Sequence, residues 1–215
     1  MSNKELVVVV GVGPGVGLGV AEAFAKKGHP LLLIARSATK LEDLAAGLRS
    51  TGVEVNVATA DASVAGDVAR VISGISTPIS ALVYNAAAFG GPLLTAGAEE
   101  LRAASEVNLY SLISATEAAR PRLKEAGGVV LVTGGGFALF PSADYGVLSV
   151  GKAMVRSAAF ILAQELKADG IRVATVTICG TVAPDTAFAP EKIAEAYIAA
   201  FENERSEIET VFTGE

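Results

Sequence analysis

A chain of 215 residues, 51% hydrophobic and 19% charged, has the length of one α/β domain with a sizeable core. A net charge of −6 without a basic cluster argues against a nucleic-acid partner. A single cysteine, Cys179, excludes an intrachain disulfide and fits a reducing, cytoplasmic setting, and with only His29 as histidine no transition-metal site is expected.

Val7, Val8, Val9 and Val10 form a short buried strand. Gly11, Gly13, Gly15, Gly17 and Gly19 follow at every second position, with Pro14 and Val16 between them, and residues 20–27 read as an alanine-rich helix. A strand, a glycine loop and a helix N-terminus make an anion cradle, because glycines let the backbone approach a pyrophosphate and the helix dipole faces its charge. No membrane span is expected, since the longest apolar region, 6–25, is broken by Pro14, five glycines and Glu22. Its glycine rhythm is not that of a secretion signal either. The surplus of apolar residues, a mean hydropathy of +0.49, points to subunit interfaces.

Strand and helix signals then alternate. After a turn at Gly28, His29 and Pro30, residues 31–35 read as a strand and 40–48 as a helix with Leu41, Leu44 and Leu48 on one face. Residues 53–58 are a third strand, and Ser63 stands where it could cap a helix with apolar face Val64, Val68, Val71, Ile72 and Ile75. A fourth strand, 81–84, precedes a helix over 101–124 ended by Gly127 and Gly128. A fifth strand, 129–133, leads to a long helix over 148–168 ended by Gly170. The sixth strand is 172–178, a helix over 190–203 begins at Pro190, and 209–213 reads as a last strand. Strict alternation predicts one doubly wound Rossmann domain over 1–215, with a parallel sheet of about seven strands covered by helices on both faces. The site is expected at the carboxyl ends of strands one, four, five and six.

Together these segments resemble the short-chain dehydrogenase/reductase family over nearly the whole chain. Gly11-Val12-Gly13-Pro14-Gly15-Val16-Gly17 matches its G-x-x-x-G-x-G loop, and Asp61-Ala62 falls where the family contacts adenine. Tyr84-Asn85-Ala86-Ala87 stands at its N-N-A-G motif, keeping the second asparagine and the alanine, and Asn108 sits at its helical asparagine. The resemblance implies Gly11, Gly13, Pro14, Gly15, Val16, Gly17, Arg36, Asp61, Ala62, Asn85, Ala86, Lys152 and Gly180 as cofactor-binding residues. Arg36 occupies the place where NAD-binding members carry a carboxylate for the ribose 2′-hydroxyl. A cation there pairs with a 2′-phosphate, so NADP(H) is expected ahead of NAD(H).

The catalytic set departs from the family. The lysine of its Tyr-x-x-x-Lys pair is Lys152, but the tyrosine position holds Leu148 and the serine position holds Gly135. Asn108 and Lys152 remain. Tyr145, seven residues before Lys152, is the candidate substitute acid, and Thr133 the candidate substitute hydroxyl. Seven residues of helix put the two side chains on one face but about 10 Å apart along the axis, unless the helix starts late and the preceding segment folds back. Phe89, Phe137, Leu139, Phe140 and Phe188 are apolar candidates for the pocket, and Thr181 and Thr186 stand near Pro184, which replaces the family's threonine.

The expected function is an NADP(H)-dependent oxidoreductase acting on a small carbonyl or alcohol through a non-standard proton donor, without a metal. The alternatives are a catalytically inactive nucleotide-binding sensor or partner subunit, and a non-redox isomerase or lyase on the same fold. A homodimer or homotetramer is expected, joined through the apolar helices 101–124 and 148–168.

Overall fold

The structure, a computed structural model, describes residues 4–203 and 207–214. Seven parallel strands lie in the order β3-β2-β1-β4-β5-β6-β7, namely β1 (Leu6–Val10), β2 (Leu31–Ala35), β3 (Val55–Thr59), β4 (Ile79–Tyr84), β5 (Val129–Gly135), β6 (Arg172–Ile178) and β7 (Glu209–Phe212). The central strands are covered on both faces, which is why they read as unbroken apolar runs.

The two faces form two cores. On one, α1 (Val16–Lys26), α2 (Ala38–Arg49) and α7 (Pro190–Glu202) bring Phe24, Leu41 and Tyr197 against Val7, Val9 and Leu131. On the other, α3 (Asp67–Ser73), α5 (Ser111–Ala126) and α6 (Gly146–Glu165) bring Ile72, Leu112, Leu123 and Ala159 against Val8, Leu82 and Val130. Successive residues of each strand therefore feed opposite cores. The chain winds outward from β1 to β3, then returns to the other side of β1 at β4. The loops after β1 and β4 part at this reversal and open a cleft.

Several element boundaries differ from the sequence reading. The first helix begins at Val16, inside the glycine run. The helix expected from 101 begins earlier, as α4 (Leu93–Ser105), with Gly97 at φ 72° interrupting it. A π-helical turn, Glu106–Tyr110, joins α4 to α5. Ser63 caps no helix: its hydroxyl donates to Asp61, and α3 starts after Gly66, so Val64 is exposed while Val68 and Ile72 are buried. The fourth strand starts two residues early, because Ile79 and Ser80 also pair along β1 or lie beneath it.

The segment Ala143–Glu165 is long and apolar enough to cross a membrane by length and composition, contrary to the expectation that no stretch is. Its most apolar 18-residue stretch is 56% buried, and the inner face of α6 packs on the sheet through Val155, Ala158, Ala159 and Leu162. That is the placement of a core helix. His29 is a packed residue of the turn: it lies edge-on to Phe24 and Phe201, with Nδ1 3.0 Å from the Glu5 carbonyl.

Candidate active site

One cleft of about 1260 Å³ runs along the carboxyl ends of the strands, from Arg36 and Asp61 at one end to Lys152 and Tyr145 at the other. The glycine loop forms its floor, and its glycines divide into two kinds. Gly11, at φ +85°, presses against the β4 loop: a Cβ there would lie 2.5 Å from the Ala86 nitrogen. At Gly17 a Cβ would lie 2.8 Å from the Gly11 carbonyl oxygen and 3.0 Å from Asn85 Nδ2. These two let backbone meet backbone. Gly13 has nothing within 4 Å of such a Cβ, and Gly15 only Val182 at 4.0 Å. Their open side faces the cleft, beside the N-terminus of α1, which carries no acidic residue in its first turn and no side-chain cap. A phosphate-bearing ligand fits here, since exposed N–H groups and the positive end of the helix dipole are unopposed. Among the described residues no cluster of three or more metal-ligating side chains occurs.

At the far end, Arg36 closes β2 and is exposed along the cleft wall. Asp61 accepts hydrogen bonds from the Ser63 nitrogen at 2.9 Å and hydroxyl at 2.7 Å. These bonds, with the Arg36 charge adding to them, hold its carboxyl below the usual carboxylate range. The Asp61 nitrogen in turn donates to Asp67 at 2.9 Å, which fixes the loop that carries Ala62.

At the centre, a hydrogen-bond chain crosses three strand ends. Tyr197, buried on α7, lies 2.6 Å from the Thr133 hydroxyl; Thr133 donates to Asn85 Oδ1 at 2.9 Å; Asn85 Nδ2 donates to the Gly11 carbonyl at 2.8 Å. The single Thr133 proton is committed to Asn85, so Tyr197 is the donor to Thr133. Thr133 thus differs from the expectation of a hydroxyl offered to substrate: it braces Asn85 and, through it, the glycine loop.

Lys152, on α6, is 8% exposed. Its Nζ donates to the Thr133 carbonyl at 2.8 Å, and it has no ion-pair partner among the described residues. Burial alone lowers its pKa to about 8. Asn108 is fully buried in the π-helical turn, donating to the Ala104 carbonyl at 2.9 Å and accepting from the Ala88 nitrogen at 3.3 Å. The extra residue of that turn swings Asn108 inward, under Gly151, where a Cβ would come 2.5 Å from Asn108 Nδ2. Asn108 therefore ties the β4 loop to the end of α4, packs against α6 at Gly151, and does not line the cleft.

Leu148 lines the cleft one helical turn before Lys152, and Gly135 lies under the lysine stem. Tyr145 precedes α6 as its N-terminal cap residue, in a separate turn, Ala143–Tyr145, so the helix starts after it. Its ring stacks on Phe137, centroids 5.1 Å apart at 27°, and is 52% exposed. Phe137 also lines an apolar pocket of about 530 Å³ on its other side, with Pro92, Leu93, Leu94, Pro141 and Val150.

Of the remaining candidates, Phe89 and Phe140 line the cleft, as do Gly180 and Thr181. Phe188 packs instead on Gly180 and edge-on to Phe212, and Leu139 lies off the cleft. Thr186 is used in its own turn, donating to the Ala183 carbonyl at 2.8 Å. Two functional residues were missed. Tyr197 gave only the signal of an apolar helix face carrying one hydroxyl, and Val182, which lines the cleft opposite Gly15, gave none.

This fold and cleft define a dinucleotide-binding α/β protein of the doubly wound class. The sequence profile described as short chain dehydrogenase matches residues 5–194, and the chain belongs to that family of oxidoreductases. No curated protein matches the chain significantly. Among solved structures, it is similar to a short-chain dehydrogenase from Sphingobium yanoikuyae in complex with NADPH, at 27% identity and TM-score 0.84 over 96% of this chain and 87% of that one. It is similar as well to the bulky-bulky ketone specific alcohol dehydrogenase from Comamonas testosteroni, at 26% identity and TM-score 0.86 over 98% and 86%. An alcohol dehydrogenase from Thermococcus sibiricus complexed with 5-hydroxy-NADP shares the fold at 24% identity and TM-score 0.85, over 99% and 98%.

Proposed function

We propose that this chain is an NADP(H)-dependent oxidoreductase that interconverts a small carbonyl compound and its alcohol. One observation carries the reading: a single cleft joins the Arg36 cation, the open Gly13–Gly15 cradle and the buried ammonium of Lys152. Bound there, the cofactor supplies or takes up hydride. Gly13, Gly15 and the α1 N-terminus hold its pyrophosphate, framed by Pro14, Val16 and the packed glycines Gly11 and Gly17. Arg36 pairs with the 2′-phosphate, and no carboxylate stands in its place to favour NAD(H). Asp61 and Ala62 flank the adenine, Asn85 and Ala86 wall the central section, and Lys152 and Gly180 stand at the ribose and nicotinamide end. The NADPH complex of the similar Sphingobium yanoikuyae structure supports this assignment.

The proton donor is non-standard. Among the described residues, the titratable side chains that line that end of the cleft are Tyr145, Lys152 and Cys179. Leu148 and Gly135 favour a second reading, a nucleotide-binding subunit without turnover. Homo-oligomerisation belongs to the same proposal, supported by exposed Tyr110, Ile113 and Ile161 near and along α5 and α6. A reducing compartment is supported by the free thiol of Cys179.

Fluorescence titration with NADPH and NADH, on wild type and Arg36→Glu, tests the cofactor, and a panel of carbonyl compounds tests the reaction. The expected result is tighter NADPH binding, weakened about 10- to 100-fold by Arg36→Glu, the worth of a charge-assisted hydrogen bond. Equal loss for both cofactors overturns the 2′-phosphate assignment. NADPH binding with no carbonyl consumed selects the second reading.

A further inference from the structure

We propose that Lys152 is itself the proton donor of the reaction, its ammonium protonating the substrate oxygen as hydride adds to the carbonyl carbon. This rests on the oxidoreductase reading above. Four features of the geometry point to it. First, Lys152 Nζ has one partner among the described residues, the Thr133 carbonyl, which leaves two N–H bonds to divide between the cofactor ribose and the substrate oxygen. Second, the lysine stem lies on Gly135, where a Cβ would be 3.2 Å from its Cγ, Cδ and Cε carbons. A glycine at that position lets the chain settle into the space a serine side chain would contest. Third, Leu148, one helical turn before Lys152 on the same face, places an apolar side chain where a competing phenol would stand. Fourth, Tyr145 stands outside α6, seven residues before the lysine, with its ring stacked on Phe137 and half exposed.

The charged surroundings of Lys152 are sparse. From β5 it meets the neutral Thr133 and Gly135, and the π-helical turn packed on α6 contributes the neutral Asn108. The other titratable groups of the cleft are Tyr145 and Cys179 at this end and Arg36 and Asp61 at the far end, and none of them is a source of its shift. A desolvated ammonium without a counter-ion gives up its proton more readily than an ordinary lysine. Arginine in the same place would not, because its guanidinium stays protonated throughout the working pH range.

The step balances. The carbonyl π bond breaks, its carbon gains a hydride and its oxygen gains the Nζ proton. The substrate is reduced by two electrons, the cofactor is oxidised by two, and Lys152 is left as a neutral amine. It regains a proton from water at the cleft mouth before the next turnover.

The test compares wild type, Lys152→Arg and Tyr145→Phe at saturating NADPH, together with competitive acetylation of the free wild-type protein against pH, read by mass spectrometry. Acetylation of Lys152 is expected to rise with a midpoint near 8, while ordinary lysines rise near about 10.4. Lys152→Arg is expected to bind NADPH within about tenfold of wild type yet lose about 10²-fold or more in kcat, the usual worth of a general acid. In wild type kcat for reduction falls as pH rises, because only the ammonium donates; Tyr145→Phe keeps this profile. A labelling midpoint near that of ordinary lysines, turnover that survives Lys152→Arg, or turnover abolished by Tyr145→Phe overturns the assignment. Wild type that binds NADPH but reduces no carbonyl overturns the oxidoreductase reading itself, and the donor falls with it.

Discussion

Lys152 lies across Gly135, close enough that a Cβ at the glycine would sit 3.2 Å from three carbons of the lysine stem. The glycine leaves room for the lysine stem, and Leu148 lines the cleft one helical turn before it. Where the family carries a tyrosine and a serine, this chain has a buried amine on a backbone carbonyl, beside Leu148 and Gly135.

Reversing both replacements is the most direct probe of that arrangement. Gly135→Ser with Leu148→Tyr puts a phenol four residues before Lys152, about 6 Å along the helix axis, where the ammonium favours its ionised form. The Cβ that Gly135→Ser adds requires only a small shift of the flexible lysine stem. The double variant should reduce carbonyls about tenfold faster than wild type or more, within the usual range of a well-placed general acid. Loss of the absorbance of the reduced cofactor reads this.

The glycines of the loop should separate into two phenotypes. Gly11→Ala and Gly17→Ala drive a methyl into backbone and should destabilise the fold by about 1–3 kcal/mol each, with Gly11 worse because its φ is also positive. Gly13→Ala meets nothing in the protein and should leave thermal unfolding unchanged while weakening NADPH binding. Melting curves with and without NADPH separate the two classes.

Thr133 and Tyr197 should differ in cost although they share one hydrogen bond. Tyr197→Phe removes the first donor of the chain and leaves the Thr133–Asn85 bond intact, a loss of about 1 kcal/mol. Thr133→Val strips partners from both the buried Tyr197 hydroxyl and Asn85 Oδ1, and should cost about 2–4 kcal/mol, since two groups are left unsatisfied. Urea unfolding measures both. Equal costs would show that the chain is not cooperative.

His29 gives stability an acid limit. Burial between Phe24 and Phe201 lowers its pKa, and the nearby ammonium groups of Lys4 and Lys27 act in the same direction. Below about pH 6.5 the unfolded chain therefore binds a proton that the folded chain resists, so stability is complete above that pH and declines beneath it. Urea midpoints on either side of about pH 6.5 should show this decline in wild type, and a smaller one in His29→Gln.

Much of the fold was legible because buried parallel strands advertise themselves as apolar runs, and glycine turns punctuate them. The boundaries that shifted did so for local reasons. Gly97 interrupts α4 and hid its first turns, and Asp61 recruits the Ser63 hydroxyl that a helix cap would have used. α6 starts at Gly146, two residues before the expected 148, and Tyr145 stays outside it in a non-helical cap conformation, which its neighbours Asp144 and Gly146 permit but do not impose. Within the site, the glycine loop, Arg36, Asp61, Asn85 and Lys152 were visible from spacing and resemblance, and they line one cleft. The brace through Tyr197 was invisible, because its partner Thr133 is 64 residues away and on another element.

The sequence by itself determined the doubly wound architecture, the family, the cationic position at the end of β2 and the absence of the usual tyrosine and serine. Each of these is a statement about residue type at a position, and periodicity or spacing suffices to read it. Only the tertiary structure decided which glycines are packed and which are open, that Thr133 and Asn108 serve as braces, and that Lys152 stands buried without a counter-ion among the described residues. Burial, hydrogen-bond partners and local charge are set by side chains far apart in sequence and exist only once the strand ends have been brought together.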